Sequence, residues 1–110
     1  MAKHLFMFLT DAVAGKDAEY NAWYDNEHLS DVIRAAGFTA ATRYKLADTE
    51  PPQQSDQKYL AVYEIDTDDP DGVFGKLTGA AGSPEMPLSD ALDLSNMKTL
   101  IWEQTIEVTA

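Results

Sequence analysis

The run Trp23-Tyr24-Asp25-Asn26-Glu27-His28-Leu29-Ser30-Asp31-Val32 gathers two aromatic rings, three carboxylates, one amide and one of the chain's two histidines into ten residues. A histidine titrates near neutral pH and can pass a proton either way. Tyr24 stands one helical turn before His28 and could donate a hydrogen bond to a substrate oxygen. Asp25 and Glu27 flank the histidine; each could orient the ring or raise its pKa, or lie solvated on an exposed helix. Asp31 can reach the ring from one turn on, or place favourable charge at a helix N-terminus. Tyr20 and Trp23 read as packing residues. His28 itself stays open between proton transfer and capping a helix break through a backbone carbonyl.

Other chemistries find little support. The chain has no cysteine, and its two histidines, His4 and His28, form no ligand pattern with any HExxH motif. No metal site and no cofactor are therefore expected. Gly79-Ala80-Ala81-Gly82 lacks the Lys-Ser or Lys-Thr of a phosphate loop, and no Gly-x-Ser-x-Gly nucleophile turn is present. Nineteen acids against eight bases give a net charge of −11. That charge repels a phosphate backbone or an anionic membrane surface, so neither nucleic acid nor membrane is expected as a partner. The acidic stretches Asp48–Asp56 and Asp66–Asp71 read as solvated loops that aid solubility. A start of Met-Ala-Lys-His and a short apolar run is too short for a signal peptide, and a cytoplasmic location is expected.

The elements that must hold this run follow from periodicity. At 110 residues the chain reads as one domain, 1–110, with room for one modest core. Lys3–Thr10 alternates between two largely apolar sides and is predicted as a strand covered on both faces. Asp17 is placed as an N-cap, and a helix runs from about Ala18. At 100° per residue, Ala18, Ala22, Leu29, Val32, Ile33 and Ala36 share one side, while Tyr20, Tyr24 and Asp31 lie on another with His28 at its margin. Ser30 looks like a second cap, so a break or kink is predicted near His28–Ser30, with a short second helical segment to Ala36. Gly37 ends the helix. Phe38–Leu46 and Lys58–Ile65 are predicted as a strand hairpin. Asp69-Pro70 opens a second helix to about Thr78. Ser89–Leu94 is read as a short helical turn and Leu100–Val108 as a last strand.

The order β-α-β-β-α-β is the α+β, ferredoxin-like split arrangement with a four-stranded antiparallel sheet. Two helices on one face leave the other uncovered, with apolar positions on both. Pairing two such faces in a C2 homodimer would remove the exposed patch. Arg43 shares a strand face with Thr39 and Ala41. It either pairs with a carboxylate, Glu64 or Glu103, or holds an anionic substrate group. Phe6, Phe8, Tyr44, Tyr63 and Trp102, with Tyr59 and Phe74, would suit a pocket for a flat apolar ligand, or simply form the core. His4 reads as a surface or packing residue, or as a second base.

Trp23-Tyr24-x-x-x-His28-Leu29-x-Asp31-Val32 followed by Gly37-Phe38, set in that element order, resembles the dimeric α+β barrel superfamily, and most closely its EthD-like branch. The resemblance implies sheets paired face to face in a homodimer. The superfamily includes polyketide cyclases, lactone isomerases, lyases, quinone-forming monooxygenases and haem-degrading enzymes, so three functions stay open. One is a cofactor-independent lyase, cyclase or isomerase acting on a small aromatic or polyketide-like molecule. There His28 would be the acid or base, Tyr24 and Arg43 would stabilise developing charge, and Asp25 would assist. Another is a haem- or oxygen-dependent monooxygenase with His28 as axial ligand. The third is a non-catalytic ligand-binding or stress-associated protein.

Overall fold

The computed structural model describes residues 1–110. Its central strand is β1 (Ala2–Thr10), which pairs antiparallel with β3 (Tyr59–Thr67) on one side and β4 (Lys98–Glu103) on the other. β2 (Ala40–Lys45) completes the hairpin with β3, giving the order β2-β3-β1-β4. The result is the ferredoxin-like β-α-β-β-α-β fold expected from the sequence. No helix is long and apolar enough to cross a membrane.

Register assigns the faces. His4, Phe6, Phe8 and Thr10 pair with Ile65, Tyr63, Ala61 and Tyr59, and this is the side on which the helices pack. Leu5, Met7 and Leu9 pair with Glu64, Val62 and Leu60 on the opposite side, where no helix packs. Trp102 faces Leu5, and Tyr44 faces Leu60, so both aromatics lie on that open side at about half exposure (52% and 53%).

The first helical stretch is irregular just before the position predicted to break or kink, and it stays continuous. α1 (Asp17–Trp23) passes through a π-helical turn (Tyr24–His28) straight into α2 (Leu29–Ala36), and the Leu29 N–H donates to Tyr24 O five residues back. Ser30 caps nothing. The buried stripe explains the π turn. Tyr20, Tyr24, His28, Val32 and Ala36 are all buried at a strict spacing of four. In a regular helix of 3.6 residues per turn, each such step drifts by about 40°. One wider turn takes up part of that drift and keeps the stripe against the sheet. The 100° reading fails for the same reason: Ala18 and Ala22 are exposed, while Trp23, Tyr24 and His28 point inward.

The remaining corrections are local. Lys16, not Asp17, precedes the helix, and the Asp17 carboxylate instead accepts from Lys58 Nζ at 2.9 Å and Tyr59 Oη at 2.7 Å. Gly37 ends α2 at φ 80°, and the turn throws Phe38 out of strand alternation into the core. There it stacks on Tyr63 (5.1 Å) and meets Phe6 edge-on. α3 (Pro70–Ala80) starts on an Asp69 side chain that accepts from the Gly72 N–H. A Cβ on Gly72 would fall 2.2 Å from that carboxylate, so any larger residue there makes the cap shift. Ser89–Leu94 forms turns and one bridge, Ala12 to Leu92, instead of a helix. β4 begins and ends earlier than the predicted Leu100–Val108.

Candidate functional site

His28 is buried in an aromatic corner. Its ring stacks on Trp23 at 4.3 Å and meets the Tyr24 ring edge-on at 4.9 Å. The π turn sets this up, because it brings residues 23, 24 and 28 onto one side. The other edge of the ring reaches a cavity of about 190 Å³ between the sheet, the first helical stretch, α3 and the 81–97 loop. Phe8, Thr10, Tyr63 and Thr99 contribute from the sheet, Tyr24 and Val32 from the helix, and Phe74, Leu77 and Thr78 from α3. Ala81, Met86, Leu88, Leu92 and Met97 close it from the loop. Thr78, Ala81, Leu88 and Met97 are also exposed, so the cavity opens to solvent on the α3 and loop side.

The loop is tied down at several points. Trp23 Nε1–H donates to Pro87 O at 3.3 Å, and Arg34 Nη2 donates to Glu85 O at 3.5 Å. The Val13 N–H donates to Ala91 O, and the Asp93 N–H to Asp11 O. Trp23 thus holds the loop with its indole nitrogen and the histidine with its ring face.

Burial dominates the electrostatics. His28 is pushed down from an ordinary 6.5 to about 4 by loss of hydration, which the Asp31 carboxylate only partly opposes. The imidazole is therefore neutral at pH 7. Burial, helped by neighbouring Tyr20, raises the Tyr24 hydroxyl, and burial beside Tyr24 raises that of Tyr63. Both phenols stay protonated as donors. Two atoms here are sealed from water without a hydrogen-bond partner: His28 Nδ1 and Tyr63 Oη. The Tyr24 hydroxyl lies close enough to perturb Tyr63 but does not meet hydrogen-bond geometry with it.

The other sequence-derived candidates separate. Tyr24, His28, Phe8 and Tyr63 meet at the cavity. Phe6 is fully buried beneath it in the core. Tyr44 and Trp102 face away on the open side of the sheet. Arg43 lies on the helix side but outside the cavity. It donates to Asp25 Oδ1 at 2.7 Å and Asn21 Oδ1 at 3.0 Å, and its guanidinium lies 4.5 Å over the Tyr24 ring. The expected partners Glu64 and Glu103 are taken elsewhere, by Lys3 at 3.3 Å and His4 Nε2 at 3.6 Å. Glu64 lies on the opposite face from Arg43 altogether. Asp25 serves Arg43 and not His28; the carboxylate that acts on the imidazole is Asp31. Sequence reasoning missed Val32, Thr10, Leu77 and the loop residues. Met86, Leu88 and Leu92, apolar side chains inside a Gly- and Pro-rich stretch, were the available signal.

The cavity does not fit a haem. A hollow of about 150 Å³ lined by apolar side chains is filled by benzene, and this one is only modestly larger.

No protein-family profile matches the sequence, and no curated protein is similar to it in sequence. In fold the chain is similar to the crystal structure of an ethyl tert-butyl ether d (ethd) family protein from Bacillus halodurans C-125. The TM-score is 0.54, covering 96% of this chain and 100% of that one, at 12% identity. This agrees with the EthD-like resemblance read from residues 20–38. At such identity it speaks for the fold and not for a reaction.

Proposed function

We propose that the protein is a cytoplasmic, cofactor-independent enzyme that moves a proton on a small, largely apolar carbonyl compound held against His28. The observation that carries this reading is a neutral imidazole at the wall of an apolar cavity, oriented by Trp23 and Tyr24, with protonated phenols beside it. The His28 ring would take a proton from the carbon next to a carbonyl as that C–H bond breaks. The electron pair would move to the carbonyl oxygen, and the Tyr24 and Tyr63 hydroxyls would stabilise the enolate. Burial that depresses His28 in the free protein is offset once imidazolium and enolate form together as a pair. Reprotonation of the enolate at another carbon gives an isomerase; collapse with expulsion of a leaving group on the β carbon gives a lyase; attack on a second carbonyl carbon, whose oxygen takes up the proton, gives a cyclase.

Hydrogen–deuterium exchange tests this without a known product. Small cyclic ketones and lactones incubated with the protein in D2O are expected to gain deuterium at the carbon next to the carbonyl. His28→Phe should lower that rate by about 10²-fold or more with an unchanged circular dichroism spectrum. Equal rates in wild type and variant would sink the proposal.

The uncovered sheet face supports a homodimer. Leu5, Met7, Leu60, Val62, Tyr44 and Trp102 form an apolar surface that a second copy would bury. Light scattering is expected to give twice the 12.1 kDa chain mass, and Trp102→Lys should shift the protein toward monomer. A wild-type mass of one chain at micromolar concentration would refute the dimer.

A further inference from the structure

Resting on the reading of the His28 cavity as a ligand site, we infer that it selects neutral molecules of about single-ring size bearing one carbonyl or hydroxyl oxygen, and rejects the matching carboxylates. Size comes first. A cavity of about 190 Å³ exceeds by a little the volume that benzene fills. The walls come next. Phe8, Val32, Phe74, Leu77, Met86 and Leu92 surround the ligand with carbon.

Charge then decides the class. No lysine, arginine, aspartate or glutamate lines the cavity. Arg43, the nearby buried cation, is spent on Asp25, Asn21 and the face of Tyr24. A carboxylate entering here would lose its hydration and meet no counter-charge, in a chain whose net charge of −11 already repels it. A neutral oxygen meets the opposite situation. Tyr63 Oη and His28 Nδ1, on two residues that line the cavity, are both buried without a partner. One ligand oxygen supplies the hydrogen bond that the folded chain leaves unmade. Arg43 does not line this cavity, so arginine-assisted carboxylate binding has no place in it.

Acetophenone, benzyl alcohol and benzoate are matched in size and differ in charge. Titrated into purified protein at pH 7.5, the two neutral probes are expected to shift the Trp23 indole N–H and His28 ring NMR signals. Benzoate should bind at least about tenfold more weakly. Tyr63→Phe should weaken acetophenone and benzyl alcohol by about tenfold while leaving toluene unchanged. Benzoate binding as tightly as the neutral probes overturns the selectivity while leaving the cavity a ligand site. If toluene falls as much as the oxygenated probes in Tyr63→Phe, the role of the hydroxyl is overturned. Failure of every probe, toluene included, to move those signals overturns both the selectivity and the reading on which it rests. The wild-type comparison alone decides the matter should Tyr63→Phe not fold.

Discussion

His28 and Arg43 both touch the Tyr24 ring, one edge-on at 4.9 Å and the other over its face at 4.5 Å, yet they occupy opposite kinds of site. Arg43 is mostly engaged: a carboxylate, an amide oxygen and three tyrosine rings surround its guanidinium, and only Nε lacks a partner. The same network continues through Asn21 to Tyr59, and from Tyr59 to Asp17 and Lys58. It ties the first helical stretch to the edge of the sheet. His28 is the reverse. It is buried, neutral and short of a partner at Nδ1, next to an open volume. A folded chain tolerates an unsatisfied polar group only at a cost, typically about 1–3 kcal/mol. Arg43 carries one such atom, Nε, within a network of partners, whereas His28 carries its own at the wall of a cavity.

The largest expected contrast is in pH dependence. The unfolded His28 takes up a proton near 6.5, while the folded one resists until about 4. Between those values the unfolded state binds more protons, so stability falls as the pH drops through the window. It loses about 3 kcal/mol by pH 4. His28→Phe removes that slope and, at pH 7, is expected to stabilise the fold by about 1 kcal/mol. Urea melts of both proteins between pH 4 and 7 read the difference directly. Parallel curves would mean that His28 is not held neutral by burial.

Arg43→Met comes next. It should destabilise by about 2 kcal/mol at pH 7, because it leaves Asn21 and Asp25 without their donor and removes the cation from the tyrosine faces. The sign opposite to that of His28→Phe is the core of the comparison. A stabilised Arg43→Met in the same melts would break it. The smallest effect concerns Asp31, the carboxylate that opposes the depression of His28. Asp31→Asn should move the His28 titration, followed by its ring proton shifts, by a fraction of a unit to lower pH. Movement upward would remove Asp31 from the electrostatics of the site.

Much of the scaffold was legible because its signals are local. Alternation over β1 and β3, the Asp69-Pro70 start of α3 and the glycine after Ala36 depend on residues within a few positions of one another. They survive in the structure with shifted ends. His28 and Tyr24 were legible as chemistry for the same reason, since they share one helical turn. The π turn was not, because it answers to the sheet beneath it. Only packing makes a stripe of every fourth residue preferable to a regular helix, and so turns Trp23 inward.

The sequence by itself determined the element order, the acidic surface and the pairing of Tyr24 with His28. Tertiary structure alone decided which polar groups are spent and which are free. Arg43 found Asp25, 18 residues away in the chain, and not the glutamates first considered. The 81–97 loop closed an apolar hollow around the imidazole. Burial and partner choice are sums over the whole fold, and no stretch of chain carries them alone.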